Sequence, residues 1–600
     1  QLQRGHIQIA YYTWMMIGLF TFLYNYNFVK DKIGLNIYLI KKNIYLFISL
    51  ILGFLLSLNI YLPVLNYLDN STRSTIKNDS ALEYATQWSF SLRESITMII
   101  PYAIGFGGRL YSGDMPFTDY PNYIGVIIFI FAFLGFYKSK LEKEYKFYFL
   151  LVIAFSFLIS LGHNFLPFYK MFYFYLPYFD KFRVPVYILI LFYFSIIVLS
   201  SFGIEYVIEN IKRNNLFKKV LLISLFLVFV ISFVYSYFIE NDKANLLSSL
   251  LRQDIFNIIS LLSILLLSIV FFKKYSVNVK YLYVIIFCIC FYDYTRINHE
   301  IINPKKHVPN TNILKSSKYL EKYLSKDSIV QFLLNDTDKY RIYDVVGPQN
   351  RWGSFNIENV NGYHPAKLSN YNTLIQNLHK KGFSLWPESI LKLLNVKYII
   401  MPYDNFNYPG FKKVLSADMF YFGPMKEYDG RKIQSFIYKY ENFYPRLYFS
   451  KKIKADSKEN IYNNIINENF DPKELSYVDS NEKIDFNIDY DPQSLVEIIS
   501  WSTDKIEFYT KVSSNQFLIM SEIFYPNGWT LKDSNNKKYE IYNVNGILRG
   551  ALIPKGNNHF IMSFAPNDVK MGKNISLSIF ILLLFALIFI IIKKNKHGNI

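Results

Sequence analysis

Cysteine is almost missing from this chain: two of 600 residues, Cys288 and Cys290, both in one apolar run and on different sides of a helix. That excludes a disulfide framework and a cysteine-bound zinc. Charge is sparse as well, at 18% of residues, whereas 52% are hydrophobic and 19% aromatic, too apolar for a single soluble core of this length. The eight histidines are scattered, with no His-Glu-x-x-His pair, and no Gly-x-Ser-x-Gly elbow is present. The glycine-rich stretch FGGRLYSGDMPFTDYPNYIG, residues 106–125, lacks the Gly-Lys-Ser/Thr ending and the preceding strand of a nucleotide-binding loop. Asp336-Thr337-Asp338 and Asp489-Tyr490-Asp491 match the Asp-x-Asp pattern of some sugar-nucleotide transferases. A tripeptide so short arises by chance in a chain so long, so neither is taken as a metal site.

Long apolar runs, by contrast, are plentiful. Nine candidate spans of a hydrocarbon layer about 30 Å thick fall near 8–29, 43–65, 122–137, 147–162, 184–204, 220–239, 255–272, 280–293 and 575–592. Every second connection is basic: 30–42, 138–146, 205–219, 273–280 and 593–597 together hold 18 Lys or Arg against five acidic residues. Positive loops resist translocation, so these five are expected to be cytoplasmic. The segment 163–183, with Lys170, Lys181 and Arg183, is the exception to the alternation. The formal charge of +19 is thus a topology signal that meets anionic lipid headgroups rather than a nucleic-acid footprint. On this scheme 66–121, 163–183, 240–254 and 294–574 face outward. The expected domains are a membrane part of about eight helices at 1–293, a mixed α/β module at 294–433, a β-sandwich at 434–573, and an anchoring helix with a basic tail at 574–600.

In the exterior region, 311–326 has helical apolar spacing, IVQFLL and YRIYDVV read as strands, 370–380 as a helix, and SILKLLNVKYIIMP as helix into strand. KIEFYTKV alternates, placing Ile506, Phe508, Thr510 and Val512 on one face, and the strands around it have sandwich spacing. A fragment cut at about 300–572 is expected to fold alone.

Two exterior stretches carry residues fit for chemistry. In the glycine-rich loop Arg109 can hold a lipid phosphate, and Asp114 or Asp119 can take a proton from a hydroxyl; the alternative is a solvated loop whose tyrosines anchor in headgroups. The proline-broken, aromatic stretch 162–185 reads as a re-entrant or interfacial hairpin that brings His163, Lys170, Asp180, Lys181 and Arg183 to the surface, as phosphate contacts or as charges that pin the hairpin.

Seven fragments in order, YIGVIIFIFAFLGF, PYFDKFRVPVYILILFYFSIIVLSSFGIE, RIYDVVG, NVNGYHPAKLSNY, LLNVKYII, YPRLYF and FYPNGWTLKDSN with VNGILRGALIPKG, carry a likeness that spans nearly the whole chain. It resembles the bacterial YfhO-type membrane proteins. The resemblance implies a GT-C-like polytopic glycosyltransferase of the bacterial cytoplasmic membrane, taking a sugar from a polyprenyl-phosphate donor to a cell-envelope glycan such as a teichoic acid. It implies no cofactor, a divalent metal being optional. In such enzymes the catalytic carboxylate lies in an early exterior loop. This chain begins QLQRGHIQIAYY without methionine, and its Gly5-His6 is similar to the family's entry into a middle span, so that carboxylate is expected upstream. Arg109 and Arg183 are the implied phosphate contacts, and the sandwich the implied holder of the acceptor. The competing readings are a non-enzymatic transporter or scaffold for lipid-linked saccharides with an exterior glycan-binding domain, and a family member that binds glycans without transferring them. Charges buried within the spans would favour transport, and the spans as read from the sequence are nearly free of them, which weakens that reading.

Overall fold

A computed structural model describes residues 6–597 apart from 32–36, 74–78, 119, most of 213–244, 276, 303–316, 347–349, 363, 365, 382–384, 423–429, 481 and 483–487. Asp119 and nearly all of the span expected at 220–239 therefore lie outside the described residues. The apolar half runs through α1 (Ile7–Asp31), α2 (Ile37–Leu55), α3 (Leu58–Leu68), α4 (Asp79–Ala85), α5 (Val126–Lys138), α6 (Lys143–Ser160), α7 (Leu166–Tyr175), α8 (Leu189–Asn210), α9 (Asn245–Lys274) and α10 (Lys280–Ile302). By contacts the chain forms two compact units, 1–53 with 76–315 and 54–75 with 316–600.

Among the described residues four helical stretches are long and apolar enough to cross a membrane: Ile7–Asn25, Pro185–Asn210, Leu247–Lys274 and Asn567–Lys594. The number is six if each of two broken pairs is one span, against nine expected from the sequence. The physical reasons for the shortfall differ. Val126–Lys138 has only 13 residues, and α10 does not stop at Asp293 but continues through Arg296 and Glu300 to Ile302.

In the first unit α1 packs with α6 and α7 around Tyr12, Tyr148, Tyr169, Tyr173, Phe179 and Phe182. A second core joins α5, α8, α9 and α10 through Ile127, Ile130, Val207, Leu262, Leu265 and Ile286. α5 and α8 touch backbone to backbone. A Cβ on Gly135 would lie 1.9 Å from the Leu199 carbonyl oxygen, and one on Gly203 would lie 1.8 Å from that of Phe131. Only glycine lets two apolar helices approach so closely, the usual device where lipid offers no hydrophobic gradient. After α6 the chain turns by 110° into α7, as the proline and aromatic pattern of 162–185 suggests. Gly162, at φ +48°, makes the corner, and a Cβ there would strike the Ser89 hydroxyl.

The second unit is mainly β. Its first sheet has the order β1 (Arg341–Asp344), β2 (Val396–Met401), β4 (Lys432–Tyr440), β3 (Phe411–Phe420), with β1 and β2 parallel. β4 crosses residue 434 and belongs to this sheet. A six-stranded sheet follows, built from β5 (Leu447–Ser450), β6 (Ile453–Asp456), β7 (Ser476–Asp479), β10 (Gln516–Ile523), β13 (Tyr542–Val544) and β14 (Leu548–Ile553). It packs on a five-stranded sheet of β8 (Leu495–Trp501), β9 (Lys505–Val512), β11 (Trp529–Asp533), β12 (Lys538–Tyr539) and β15 (Gly556–Phe564). Their shared core holds Phe449, Leu518, Met520 and Ala551 from one sheet and Ile506, Phe508, Leu531 and Phe560 from the other. Thr510 and Val512 are buried beside Ile506 and Phe508, so the alternation in KIEFYTKV resolves as expected.

The helices expected at 370–380 and before LNVKYII are present, as Ser369–Lys380 and Glu388–Leu393. IVQFLL, however, is not a strand. It lies in a helix, Ser328–Asn335, which Asp327 caps by accepting the Val330 N–H at 3.0 Å. Ile329, Val330 and Leu333 then share the buried face, a helical spacing in an apolar run too short to reveal its period.

Residues 54–75 join this unit rather than the first. Thr72 N–H donates to the Lys367 carbonyl at 2.9 Å, Ser369 N–H to that of Asn70 at 2.8 Å, and the Tyr67 hydroxyl to that of Ala366 at 2.8 Å. α3 lies along the C-terminal helix, Asn567–His597, where a Cβ on Gly572 would meet the Leu58 carbonyl oxygen at 2.4 Å. The apolar stretch of that last helix is exposed on every side, among others at Phe580, Phe585 and Phe589.

Two expectations follow. Gly135→Ala and Gly203→Ala should each lower the thermal midpoint of the protein in detergent, overpacking of this kind costing about 1–3 kcal/mol. Gly18→Ala, with no atom within 4 Å of its Cβ, should not; equal midpoints for all three would remove the close crossing. In the β unit burial alone would raise the Glu358 carboxyl, but Arg446, Arg341 and Lys339 outweigh it and hold the pKa at about 2, down from 4.5. A carboxyl depressed by folding stabilises fully above its unfolded pKa and loses that contribution as pH falls through the folded one. Stability of this unit, followed by tryptophan fluorescence in urea, should therefore decline from pH 4.5 towards 2, and less steeply in Glu358→Gln. Identical slopes in the two proteins would mean that Glu358 does not carry the effect.

Candidate functional site

The loop between α4 and α5 is not a solvated tether. Ser91 N–H donates to Glu94 Oε2 at 2.8 Å and Glu94 N–H to Ser91 Oγ at 3.2 Å, a reciprocal cap that opens a short turn of 3-10 helix at Glu94–Met98. Tyr111 donates to Glu94, and its oxygen accepts the Met115 N–H at 3.0 Å. Trp88 Nε1 donates to the Phe117 carbonyl at 2.9 Å. The apolar run Ile100–Phe106 is buried beneath these bonds. The glycines of the stretch thus serve a tightly folded loop, and its carboxylate of consequence is Glu94.

Of the residues singled out in the sequence, Asp114 and His163 are exposed, and the His163 N–H donates to Ser89 Oγ at 2.9 Å. Arg109 lies in a 3-10 turn, Gly108–Leu110, with its side chain, like all of Asp119, outside the described residues. Asp180 and Lys181 pair with each other at 3.1 Å. Arg183 is different. Its guanidinium carbon sits 4.2 Å from the Tyr84 ring centroid and 4.7 Å from that of Trp88. Nη1 donates to the Tyr84 hydroxyl at 3.2 Å, Nη2 donates to Gln87 Oε1, and Nε is buried without a partner. No carboxylate among the described residues is within ion-pair distance of it. A cation stacked on aromatic faces and left without a counter-charge is built to meet an anion.

The backbone around Arg183 is strained. Trp88 (φ 58°), Tyr178 (φ 61°) and the β-branched Val184 (φ 64°) all lie in the left-handed region, which costs about 1–3 kcal/mol at each such residue and collects at working sites. Trp88 supplies one of the two rings under Arg183, and Val184 follows it in the chain.

A second constellation, which the sequence reading passed over, lies where the first turns of α9 meet the last turns of α10, at the end of this antiparallel pair away from Lys273, Lys274 and Lys280. Arg296 Nη1 is 2.7 Å from Asp254 Oδ1, and Nη2 is 3.5 Å from Asp293 Oδ1. Asp254 also accepts the Tyr102 N–H at 2.9 Å, Asp293 the Tyr123 hydroxyl at 2.7 Å, and Glu300 the Tyr102 hydroxyl at 3.1 Å. Beside it opens a cavity of about 450 Å³ whose wall includes Tyr102, Gln253, Arg296, His299 and Glu300. The signal was in the chain: Asp293, Arg296 and Glu300 recur at three and four residues, one helix face. Ending the span at the first charge hid it.

The Asp-x-Asp pair at 336 and 338 is occupied by a side chain of the protein itself, Lys397 Nζ lying 2.5 Å from Asp336 and 2.6 Å from Asp338. Asp491 accepts the Ser513 hydroxyl at 2.5 Å and the Gln493 N–H at 2.8 Å. Among the described residues no group of His, Cys, Asp and Glu has the arrangement of a metal site.

Arg296→Gln should destabilise the protein in detergent by about 3–5 kcal/mol, the usual result of stripping buried carboxylates of their cation. Adding Asp254→Asn and Asp293→Asn should recover most of the loss, since no charge is then left unanswered. A single variant as stable as the parent, or a triple variant no better than the single, would contradict the pairing.

Against family models, curated proteins and solved structures the chain has no match, so both constellations are interpreted from their own geometry.

Proposed function

We propose that this protein is a bacterial polytopic membrane protein of the GT-C-like, YfhO-type kind, which transfers a sugar from a polyprenyl-phosphate donor to a cell-envelope glycan on the extracytoplasmic side. The observation that carries the reading is Arg183: a guanidinium stacked on Tyr84 and Trp88 in strained backbone, with no carboxylate beside it. Its planar fork suits a lipid phosphate, whose charge grows as the glycosyl bond breaks. The membrane setting is supported by the apolar, all-round exposed stretch of the C-terminal helix, which water would not tolerate. Arg109 remains the second candidate for the phosphate, with Asp114, Asp119 and His163 as outer contacts. For the proton of the acceptor hydroxyl, Glu300 on the cavity wall is the carboxylate to test.

The second reading, passage or scaffolding of a lipid-linked saccharide without transfer, is favoured by one observation, the ion cluster of Asp254, Arg296 and Asp293 buried between helices.

Sugar transfer from a polyprenyl-phosphate donor, measured in membranes containing the protein at matched levels, separates the two. Arg183→Ala should slow transfer roughly tenfold to a hundredfold, the loss of a charge-assisted contact being about 1.5–3 kcal/mol. Arg183→Lys should recover part of it, keeping the charge without the fork. Parental rates in Arg183→Ala would withdraw the phosphate role. Absence of transfer together with movement of labelled lipid-linked saccharide across proteoliposomes would establish the second reading instead.

A further inference from the structure

At one end of the β-sandwich, where β10 leaves its ladder, four cations gather around two carboxylates. Arg341 reaches Glu358 at 3.2 Å and Glu522 at 2.9 Å, Arg446 reaches the same two at 2.8 and 3.2 Å, and Lys339 pairs with Glu358. Each of those carboxylates is shared by both arginines. The fourth cation, Arg549 on β14, has no carboxylate within ion-pair distance among the described residues. Its Nε donates to the Ile523 carbonyl at 3.2 Å and its guanidinium lies 3.8 Å from the Trp529 ring centroid. The side chain is 95% buried (5% exposed), yet Nη1 has no hydrogen-bond partner, nor has Nε of the neighbouring Arg446.

The formal balance of the cluster is four positive against two negative charges, an excess of two in a place where each unanswered charge costs several kcal/mol of desolvation. Burial lowers the pKa of both Arg446 and Arg549 to about 10, with the Glu522 carboxylate opposing it and Arg341 adding to it at each. Even so both remain charged at neutral pH. Stacking on Trp529 and the single bond from Nε fix the plane of Arg549 while Nη1 stays unused, the arrangement in which a fork of N–H groups accepts an oxyanion with little loss of side-chain freedom. Facing it on the five-stranded sheet, Trp501 and Trp529 are half-buried with β9 and β15 between them. Lys339 lies 5.0 Å and Arg446 5.3 Å from the Trp501 ring. Indole faces beside guanidinium groups are chemistry for a ring or polyol that carries a phosphate.

We propose that this end of the sandwich is an oxyanion site that takes a phosphate group of a sugar- or polyol-phosphate chain, with Arg549 as its principal contact and Arg446 and Lys339 supporting it. That the chain is the glycan acceptor rests on the function proposed above; the oxyanion site does not.

The test uses the full-length protein in detergent micelles, titrated with inorganic phosphate, with glycerol 3-phosphate and with chloride at matched ionic strength, and read by calorimetry and by thermal midpoint. Both phosphates should bind saturably and raise the midpoint, glycerol 3-phosphate the more tightly if the ligand is polymer-derived, and chloride should do neither. Arg549→Gln should weaken phosphate binding at least tenfold. Arg549→Lys, which keeps the charge and spares the fold if glutamine does not, should weaken it severalfold. Unchanged affinity in the lysine variant, or equal effects of chloride and phosphate, overturns the site. Phosphate binding that depends on Arg549 in a protein without transfer activity retains the site and removes the acceptor assignment; transfer activity without phosphate binding retains the proposed function and removes the site.

Discussion

A guanidinium removed from water has to be answered, and the ways in which this chain answers its arginines organise both units. Arg296 is held between Asp254 and Asp293, so two long apolar helices can carry charge in their contact and place a polar cavity at one end. Arg351 is fully buried in the other unit against Asp327, the same carboxylate that caps a helix. Arg341 and Arg446 share Glu358 and Glu522 and tie the edge of the first sheet to the six-stranded one. Arg183 and Arg549 are answered by aromatic rings instead. A ring face lowers the cost of burying a cation without cancelling its charge, so those two keep a charge able to act on something else.

What could be read from the chain beforehand was whatever depends on neighbours in sequence. The alternation in β9, the helix running into β2 and the broken hairpin after α6 are all local patterns, and each is found where it was expected. The misread strand IVQFLL failed because five apolar residues in a run of six fit either period and the deciding cap, Asp327, sits just before them. Arg296 and Asp254 are 42 positions apart and meet only because α9 and α10 lie side by side. Arg183 stood out by its charge, but its partners Tyr84, Gln87 and Trp88 come from nearly a hundred residues earlier, and no spacing rule links them.

The connection between α4 and α5, which contains the glycine-rich stretch, illustrates how composition misleads. Glycine-rich and polar on paper, it folds over a buried apolar run and spends Glu94 and Tyr111 on holding itself together. Its functional weight falls on what it presses against: Trp88, at its start, is a ring of the Arg183 site, while Tyr102 and Tyr123 reach the carboxylates of the α9–α10 cluster. One folded loop therefore touches both constellations of the first unit.

The membership of residues 54–75 in the β unit has a consequence for how the protein is made. Asn59 N–H donates to the Ser576 hydroxyl at 3.0 Å, and the Asn66 side chain to Asp568 at 3.0 Å, across separations of 517 and 502 residues. α3 therefore leaves the ribosome about five hundred residues before the helix it pairs with. Throughout that interval it has to wait with its contact face unfilled, and so long a loop closure is a slow step that leaves apolar surface open meanwhile. Completion of the β unit is thus timed by the helix Asn567–His597, and a ribosome that stalls short of it leaves the contact face of α3 open.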